Sequence, residues 1–337
     1  MGNTINCKNC KNKESEKSEY NFDNELKREI ESSKREKIEM EKLEESKKDF
    51  ESKILEYGEI IKEEEIEEIL LQKNKNINSE FQKMNQTEIL DKTSDTSINN
   101  IFYEPPIKFK KDGSIYFGGW NCNFQKEGFG ITINSDGSVY KGLYKQDLID
   151  KYGFFIDKNG NYYKGNFKDG KKNGNGELYI KNRFKYNGNF NNDLKEGKGK
   201  EENYEDNSIY EGDFNKGLKN GKGKLMFKDG TYYFGDFKSG KYNGKGIIKY
   251  PNGESYEGEF KNNKLYGQGV FNWGDGKIYT GNYVNNKKHG YGKLKWNNNS
   301  FYEGYWVNNK QHGKGIYCIN ENKIKGFFRF GQLILIK

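Results

Sequence analysis

The residues with the most evident chemistry stand at the amino end, in MGNTINCKNCKNK. Gly2 is available for N-myristoylation once Met1 is removed, and Cys7 and Cys10 are placed for palmitoylation. Lys8, Lys11 and Lys13 could meet anionic lipid. One acyl chain holds a membrane only marginally, while a second chain or a basic patch makes anchoring stable. The usual pattern has Ser or Thr at position 6, and this chain has Asn6, so an unmodified polar tail stands as the other reading.

Cys7-x-x-Cys10 could instead be half a zinc site, but no second pair exists. Cys122 and Cys318 are isolated, and four ligands cannot be assembled locally, so no metal is expected. Four scattered cysteines argue against a disulfide framework and for a reducing cytosolic compartment. His289 and His312 each precede a Gly-x-Gly, in a slot that Asn173, Asn220 and Asn243 hold elsewhere, which reads as a turn role. No Gly-rich loop leads into a helix with Lys-Ser/Thr, and no Ser/His/Asp or Cys/His set stands out. The expectation is no catalytic residue, no cofactor and no enzyme. No run of 18 apolar residues exists to span a membrane.

What positions these groups is a repeat. The tripeptide Tyr-x-Gly recurs from Tyr116 through Tyr140, Tyr163, Tyr186, Tyr210, Tyr233, Tyr256, Tyr279 and Tyr302, with Ile324 in the tyrosine slot of a truncated tenth copy. Successive full copies are 23 residues apart, or 24 in two cases. Such self-similarity signals an array, in which each unit buries its apolar face against its neighbours. An array of small repeats builds a surface, so its default function is binding.

Each unit reads Tyr-x-Gly-x-aromatic, a polar loop, Gly-x-Gly and an alternating apolar stretch. Strand side chains alternate faces, so residues at offsets 0, 2 and 4 point the same way. That places Tyr163 with Phe167, Tyr210 with Phe214, Tyr233 with Phe237, Tyr256 with Phe260, Tyr279 with Tyr283 and Tyr302 with Trp306 on one aromatic face. These twelve are the candidate core and partner-groove residues. Turn formers separate the halves, as in Lys168-Asp-Gly and Lys261-Asn-Asn, while Asp229-Gly230 and Pro251-Asn-Gly253 mark the returns. Each repeat is therefore one antiparallel hairpin. Glycine weakens a strand interior, and its recurrence here predicts seats for aromatic rings. Stacking the hairpins at ~4.8 Å per strand gives a twisted rod of about 90 Å.

These residues resemble the MORN (membrane occupation and recognition nexus) repeat, whose unit is this Tyr-x-Gly-x-aromatic hairpin with a Gly-x-Gly return. The resemblance spans residues 116 to 328 and includes Gly-Lys-Gly at 197, 221, 244 and 313. It implies a mainly β fold, an elongated single-sheet array of nine to ten hairpins. It also implies a scaffold at membrane–cytoskeleton junctions, flagella or cilia, often dimeric, with lipid binding proposed for the family. Copy two departs, with Lys151 replacing the first glycine of the pair. Copies one and four carry an extra residue, and copy four runs into the acidic, polar stretch from Glu201 to Asn207. Irregularity is expected at these places.

The first hundred residues differ in kind. They hold 18 Lys and Arg against 25 Asp and Glu, a net of −7, whereas residues 101–337 hold 40 against 25, a net of +15. An acidic arm thus precedes a basic rod. Residues 1–18 read as the tail. Residues 19–72 read as a charged helix or short coiled coil, with Met40, Leu43, Phe50, Ile54, Tyr57 and Ile61 at 3–4 spacing. Residues 73–104 read as a polar linker, and 105–337 as the array. The lysines of the rod scatter through loops, and its aromatics occupy fixed packing positions, so no nucleic acid is expected.

Two functional readings follow. The first is a non-enzymatic scaffold on the cytoplasmic face of a membrane. It would bind a protein partner along an aromatic groove, with anionic lipid as a second partner. The other is a structural component of a ciliary, axonemal or cytoskeletal assembly with no lipid role. The apolar Leu333-Ile334-Leu335-Ile336 predicts either a cap over the last repeat or pairing with a second copy or a partner strand, with burial on both faces.

Overall fold

The computed structural model describes residues 101–336, apart from 110, 297 and 299, and before them 58–62, 65, 68 and 69. Gly2, Cys7, Cys10 and the seam residues Met40 to Tyr57 lie outside the described residues. The described strands form one open antiparallel sheet in which each strand pairs with its neighbours in sequence. It runs from β1 (Gly58–Ile60) and β2 (Phe102–Phe109) to β21 (Asn322–Arg329) and β22 (Gln332–Ile336).

Both turn types arise from local chemistry. Within a repeat the hairpin tip holds two successive residues in the left-handed region, such as Asn285 and Asn286 (φ 50° and 65°) or Asp169 and Gly170 (φ 49° and 78°). That backbone twist matches the twist of the flanking strands, and Asn, Asp and Gly tolerate it. Between repeats, Asp229 Oδ1 accepts from the Thr231 N–H at 2.8 Å and closes the return. The tips also stitch neighbours together: the Leu265 N–H donates to Asn286 Oδ1 and the Lys288 N–H to Asn309 Oδ1, both at 2.7 Å.

The register brings the repeat glycines into one unbroken file. Gly223, Gly235, Gly246, Gly258 and Gly269 oppose one another across five consecutive strands, and the file extends from Gly118 to Gly326. Each tyrosine ring lies over it. A Cβ on Gly246 would come within 2.4 Å of Tyr233 Oη, a distance no real contact tolerates. The buried hydroxyl is not orphaned, because it donates to the Asp236 carbonyl at 2.9 Å, and Tyr210, Tyr256 and Tyr279 do the same three residues on. The glycines are ring seats, as the pattern predicts. The ring covers its own strand's glycine and the second glycine of the following Gly-x-Gly.

Copies two and four are more regular than expected. Lys151 adopts φ 58°, the left-handed conformation that glycine takes elsewhere, and opposes Phe167 just as Gly174 opposes Phe190. The backbone bulge is therefore imposed by the array, and a lysine bears it. Glu201 likewise keeps the ladder, between Tyr186 and Tyr210, in the place where Leu178 stands between Tyr163 and Tyr186. The extra residue is absorbed in the following turn.

Two further expectations are corrected. Gly58–Ile60 is a strand on the edge of β2, within the segment read as helix; Gly58 suits a break, and β2 offers unpaired backbone groups. The carboxyl-terminal segment is not a cap buried on both faces. It extends the sheet as β22, paired to β21, with Leu333 and Ile334 41 % and 53 % exposed.

Candidate partner-binding face

The two faces of the sheet differ in what they can offer. On one, the tyrosines and the aromatics four residues later form a continuous interlocked ladder. Tyr210 meets Phe214 at 5.1 Å and Phe237 at 5.0 Å between ring centres, edge to face, and Tyr233 meets Phe237 and Phe260 in the same way. Edge-to-face pairs at this distance are the favoured arrangement. Tyr163, Phe167, Tyr210, Phe214, Tyr233, Phe237, Tyr256, Phe260, Tyr279, Tyr283, Tyr302 and Trp306 are all buried in this ladder. They are its interior. The rings fill one another's edges and the space over the glycines, so these twelve leave no groove lining for a partner to touch.

What a partner would meet is carried by the residues beside the ladder. Phe227, Tyr250, Trp273 and Trp296 recur every 23 residues at the start of each return turn, half-buried against the ladder. Phe271 and Tyr317 join them, with Phe271 4.5 Å from Trp273 and Trp296 5.6 Å from Tyr317 between ring centres.

Towards the hairpin tips a slot opposite each second aromatic holds Lys126, Lys172, Lys195, Lys219 and Lys288, with Ile149, Tyr242, Leu265 and Gln311 in the remaining copies. The lysines do not scatter here. They align, half-buried, with their ammonium groups over rings: Lys126 Nζ is 4.7 Å from the Tyr116 centre and Lys219 Nζ 5.0 Å from Tyr210. The sequence hides this row because lysine shares the slot with Ile149, Tyr242, Leu265 and Gln311. Its signal was position, nine residues after the tyrosine in every copy but the first.

Burial pushes the ammonium pKa of Lys126, Lys195 and Lys288 below the ordinary lysine value, Lys288 to about 8. Most of the row has carboxylates at hand. Lys172 lies 3.6 Å from Asp193, and Asp147 and Asp112 favour the charged form of Lys126. Glu201 is shared by Lys195 and, at 3.2 Å, Lys219. Burial alone would raise the Glu201 pKa, but the two lysines outweigh it and hold the carboxyl below its usual value.

The opposite face changes along the array. At the amino-terminal repeats it is apolar, with Ile115, Ile133, Val139, Leu143, Phe154 and Ile156 buried and Ile61 and Ile69 packed against them. In the middle it carries cross-strand ion pairs such as Lys222–Asp236 at 2.6 Å and Lys198–Asp213 at 2.7 Å. Towards the carboxyl end Tyr291, Tyr305 and Phe327 stand exposed around a hollow of about 330 Å³. His289 and His312, expected in turns, lie instead within the strands Lys287–Lys295 and Lys310–Ile319, beside the bulges, and His312 Nδ1 is buried without a hydrogen-bond partner. Cys122 is exposed and Cys318 buried, both free.

A family model described as the MORN repeat matches seven segments: residues 163–182, 186–203, 210–232, 233–255, 256–278, 279–301 and 302–321. The copies at Tyr116 and Tyr140 fall outside these matches yet share the same hairpin register. A search of curated proteins found no match. Among solved structures, one similar chain is described as the SAS-4 (dCPAP) TCP domain in complex with a proline-rich motif of Ana2 (dSTIL) of Drosophila melanogaster. It is 10 % identical, with a TM-score of 0.30, over 46 % of this chain and 84 % of that one. A streptogramin B lyase structure is 11 % identical, with a TM-score of 0.16, over 65 % of this chain and 89 % of that one. Likenesses so distant carry no argument about function.

Proposed function

We propose that this chain, an array with seven segments matching the MORN repeat, is a non-catalytic scaffold that holds a segment of a partner protein along its aromatic face. One observation carries the reading. A buried aromatic ladder is bordered by half-buried Phe227, Tyr250, Trp273 and Trp296 and overlaid by a row of lysines, with Lys288 Nζ 5.6 Å from the Trp273 ring centre. Aromatic residues that are partly desolvated and held rigidly are the usual anchors of protein interfaces. An elongated surface of this kind suits an extended or helical segment.

The test is capture of partners by the full chain and by variants of each face. Trp273→Ala with Trp296→Ala should lose the partners that wild type retains, while Phe234→Ala with Tyr305→Ala on the opposite face should keep them. The reverse outcome would overturn the assignment.

The tether belongs to the same proposal and rests on Gly2, Cys7 and Cys10. Two acyl chains with nearby lysines would make membrane residence stable. On this reading Gly2→Ala moves the protein from the membrane fraction to the soluble one. Retention of that variant in a detergent-insoluble pellet would instead favour a structural component of a cytoskeletal assembly.

A further inference from the structure

The lysine row contains its own demonstration of what such a lysine takes. Glu201 stands where other repeats place Leu178, Leu225, Ile248, Phe271 or Leu294, over the ladder and 14 % exposed. It forms ion pairs with both Lys195 and Lys219. Lys195 in turn lies 3.9 Å from the Phe184 ring centre, 4.9 Å from Tyr186 and 5.8 Å from Phe214. The arrangement is a carboxylate held by two ammonium groups above aromatic rings, at a site largely removed from water. Ion pairs of this kind are retained only when each charge has a partner.

Four repeats further on, the same frame recurs without the carboxylate. Lys288 Nζ lies 4.6 Å from the Trp306 ring centre, 5.5 Å from Tyr279 and 5.6 Å from Trp273. Tyr279 and Trp306 correspond to Tyr186 and Phe214 around Lys195. Lys277 supplies the second ammonium, 4.4 Å from the centre of the same Trp273 ring. The position equivalent to Glu201 is Leu294, so the chain provides no acid there. Lys288 has Lys277, Tyr279 and Tyr283 around it, and burial raises both phenols far above the neutral range, which leaves them uncharged; Asp275, in the turn beside Lys277, accepts from the Lys277 N–H at 2.9 Å and forms no ion pair with either lysine. Among the described residues neither lysine has a carboxylate within ion-pair distance. Two like charges thus share a half-buried aromatic site, and the rings compensate them only in part.

We propose that Lys277 and Lys288, framed by Trp273 and Trp306, bind a carboxylate side chain of the partner segment that lies on the aromatic face. The inference rests on the partner-binding reading and specifies its chemistry: an acidic residue flanked by apolar ones, the acid reaching the two ammonium groups and the apolar neighbours covering Trp273 and Trp296. The site supplies from a partner what Glu201 supplies from within at the earlier repeats.

The test uses the full chain and a short fluorescein-labelled peptide of alternating leucine and glutamate, with its glutamine counterpart as the control, followed by anisotropy. The glutamate peptide should bind about tenfold tighter, the range of one charge-assisted contact. Lys288→Gln should abolish that preference, and Lys245→Gln on the opposite face should leave it. Glutamine is tolerated in this slot, because Gln311 occupies it one repeat later. The preference should also fall by about fivefold from pH 7 to pH 9 as Lys288, near 8, loses its proton before binding. Equal binding of the two peptides would overturn the proposal, as would a preference that survives Lys288→Gln. Lys288-dependent binding of phosphatidylserine vesicles without peptide binding would overturn it in favour of a lipid headgroup. If the peptide result fails while Trp273→Ala with Trp296→Ala still loses the captured partner, only this site falls. If capture depends on the opposite face instead, both readings fall.

Discussion

The two faces of this sheet are built by the same strands and obey different rules. On the aromatic face the full repeats solve the same problem in the same way, with a tyrosine over two glycines and, from the second copy on, a second aromatic edge-on to two tyrosines. On the opposite face the same backbone carries an apolar cluster at the amino end, ion pairs in the middle and exposed aromatics towards the carboxyl end. The difference teaches where the array is constrained. A ring that fills the space above a glycine file leaves no freedom at three positions per repeat. Residues pointing the other way have only solvent, or whatever docks there, to satisfy.

The sharpest test of that contrast is truncation on either face. Tyr233→Ala or Phe237→Ala removes a fully or almost fully buried ring and should cost ~3–5 kcal/mol of local stability, measured as a shift in the denaturant midpoint. Lys245→Ala, exposed on the opposite face, should lie within about 0.5 kcal/mol of wild type. Similar losses at all three would erase the distinction between the faces. The same comparison runs along the opposite face itself. Phe154 is completely buried in the cluster against which Ile61 and Ile69 pack, and Ile247 takes the equivalent place in a later repeat in the lining of an open hollow. Phe154→Ala should therefore cost ~3–5 kcal/mol and Ile247→Ala clearly less, and equal costs would show that the segment containing Ile61 and Ile69 covers nothing of consequence.

A smaller effect is expected from filling a ring seat. Gly246→Ala places a methyl group against the Tyr233 hydroxyl and should cost ~1–3 kcal/mol by overpacking, whereas Gly240→Ala has open space and pays only for its positive φ of 78°. Equal loss at both would mean that backbone conformation, not the ring, selects glycine. At the bulge, Lys151→Gly should stabilise by up to ~1 kcal/mol, because φ 58° strains any side chain. A loss of stability there would show that the Lys151 side chain contributes more than its backbone costs.

The subtlest effect is electrostatic. Burial lowers the Lys288 pKa to about 8 in the folded protein from the ordinary lysine value of 10.5. The unfolded chain therefore binds more protons between those values, and stability should rise as pH increases through that window. Below pH 8 the penalty for the buried charge is fully present. Lys288→Met should flatten the rise, which thermal melts across the interval would detect, and an unchanged slope would place the ammonium in water.

Much of this was legible beforehand. Tyr-x-Gly-x-aromatic at a 23-residue spacing specifies hairpin, face and turn, since strand alternation, glycine and Asn-Asn or Asp-Gly tips are local physics. The ring seats followed from asking why a strand should repeatedly accept glycine. Three things did not follow. Lys151 looked like a fault and proved to be a bulge, because neighbouring strands on both sides hold the backbone in a conformation that lysine alone would not choose. Glu201 looked like an interruption and proved to be the partner of two lysines that come from different strands. Gly58–Ile60 read as helix by its periodicity, and an edge left open by β2 made it a strand.

The amino-acid sequence by itself determined the repeat, the hairpin and which residues form the ladder, because each depends on chain neighbours within one period. Only the tertiary structure decided that the twelve ladder aromatics are interior and that the surface beside them belongs to half-buried tryptophans and a row of lysines. Burial of a side chain depends on what the adjacent repeats place above and beside it. Whether a lysine in that row is paired or left with a like charge likewise depends on residues brought together across strands, a relation that no single repeat contains.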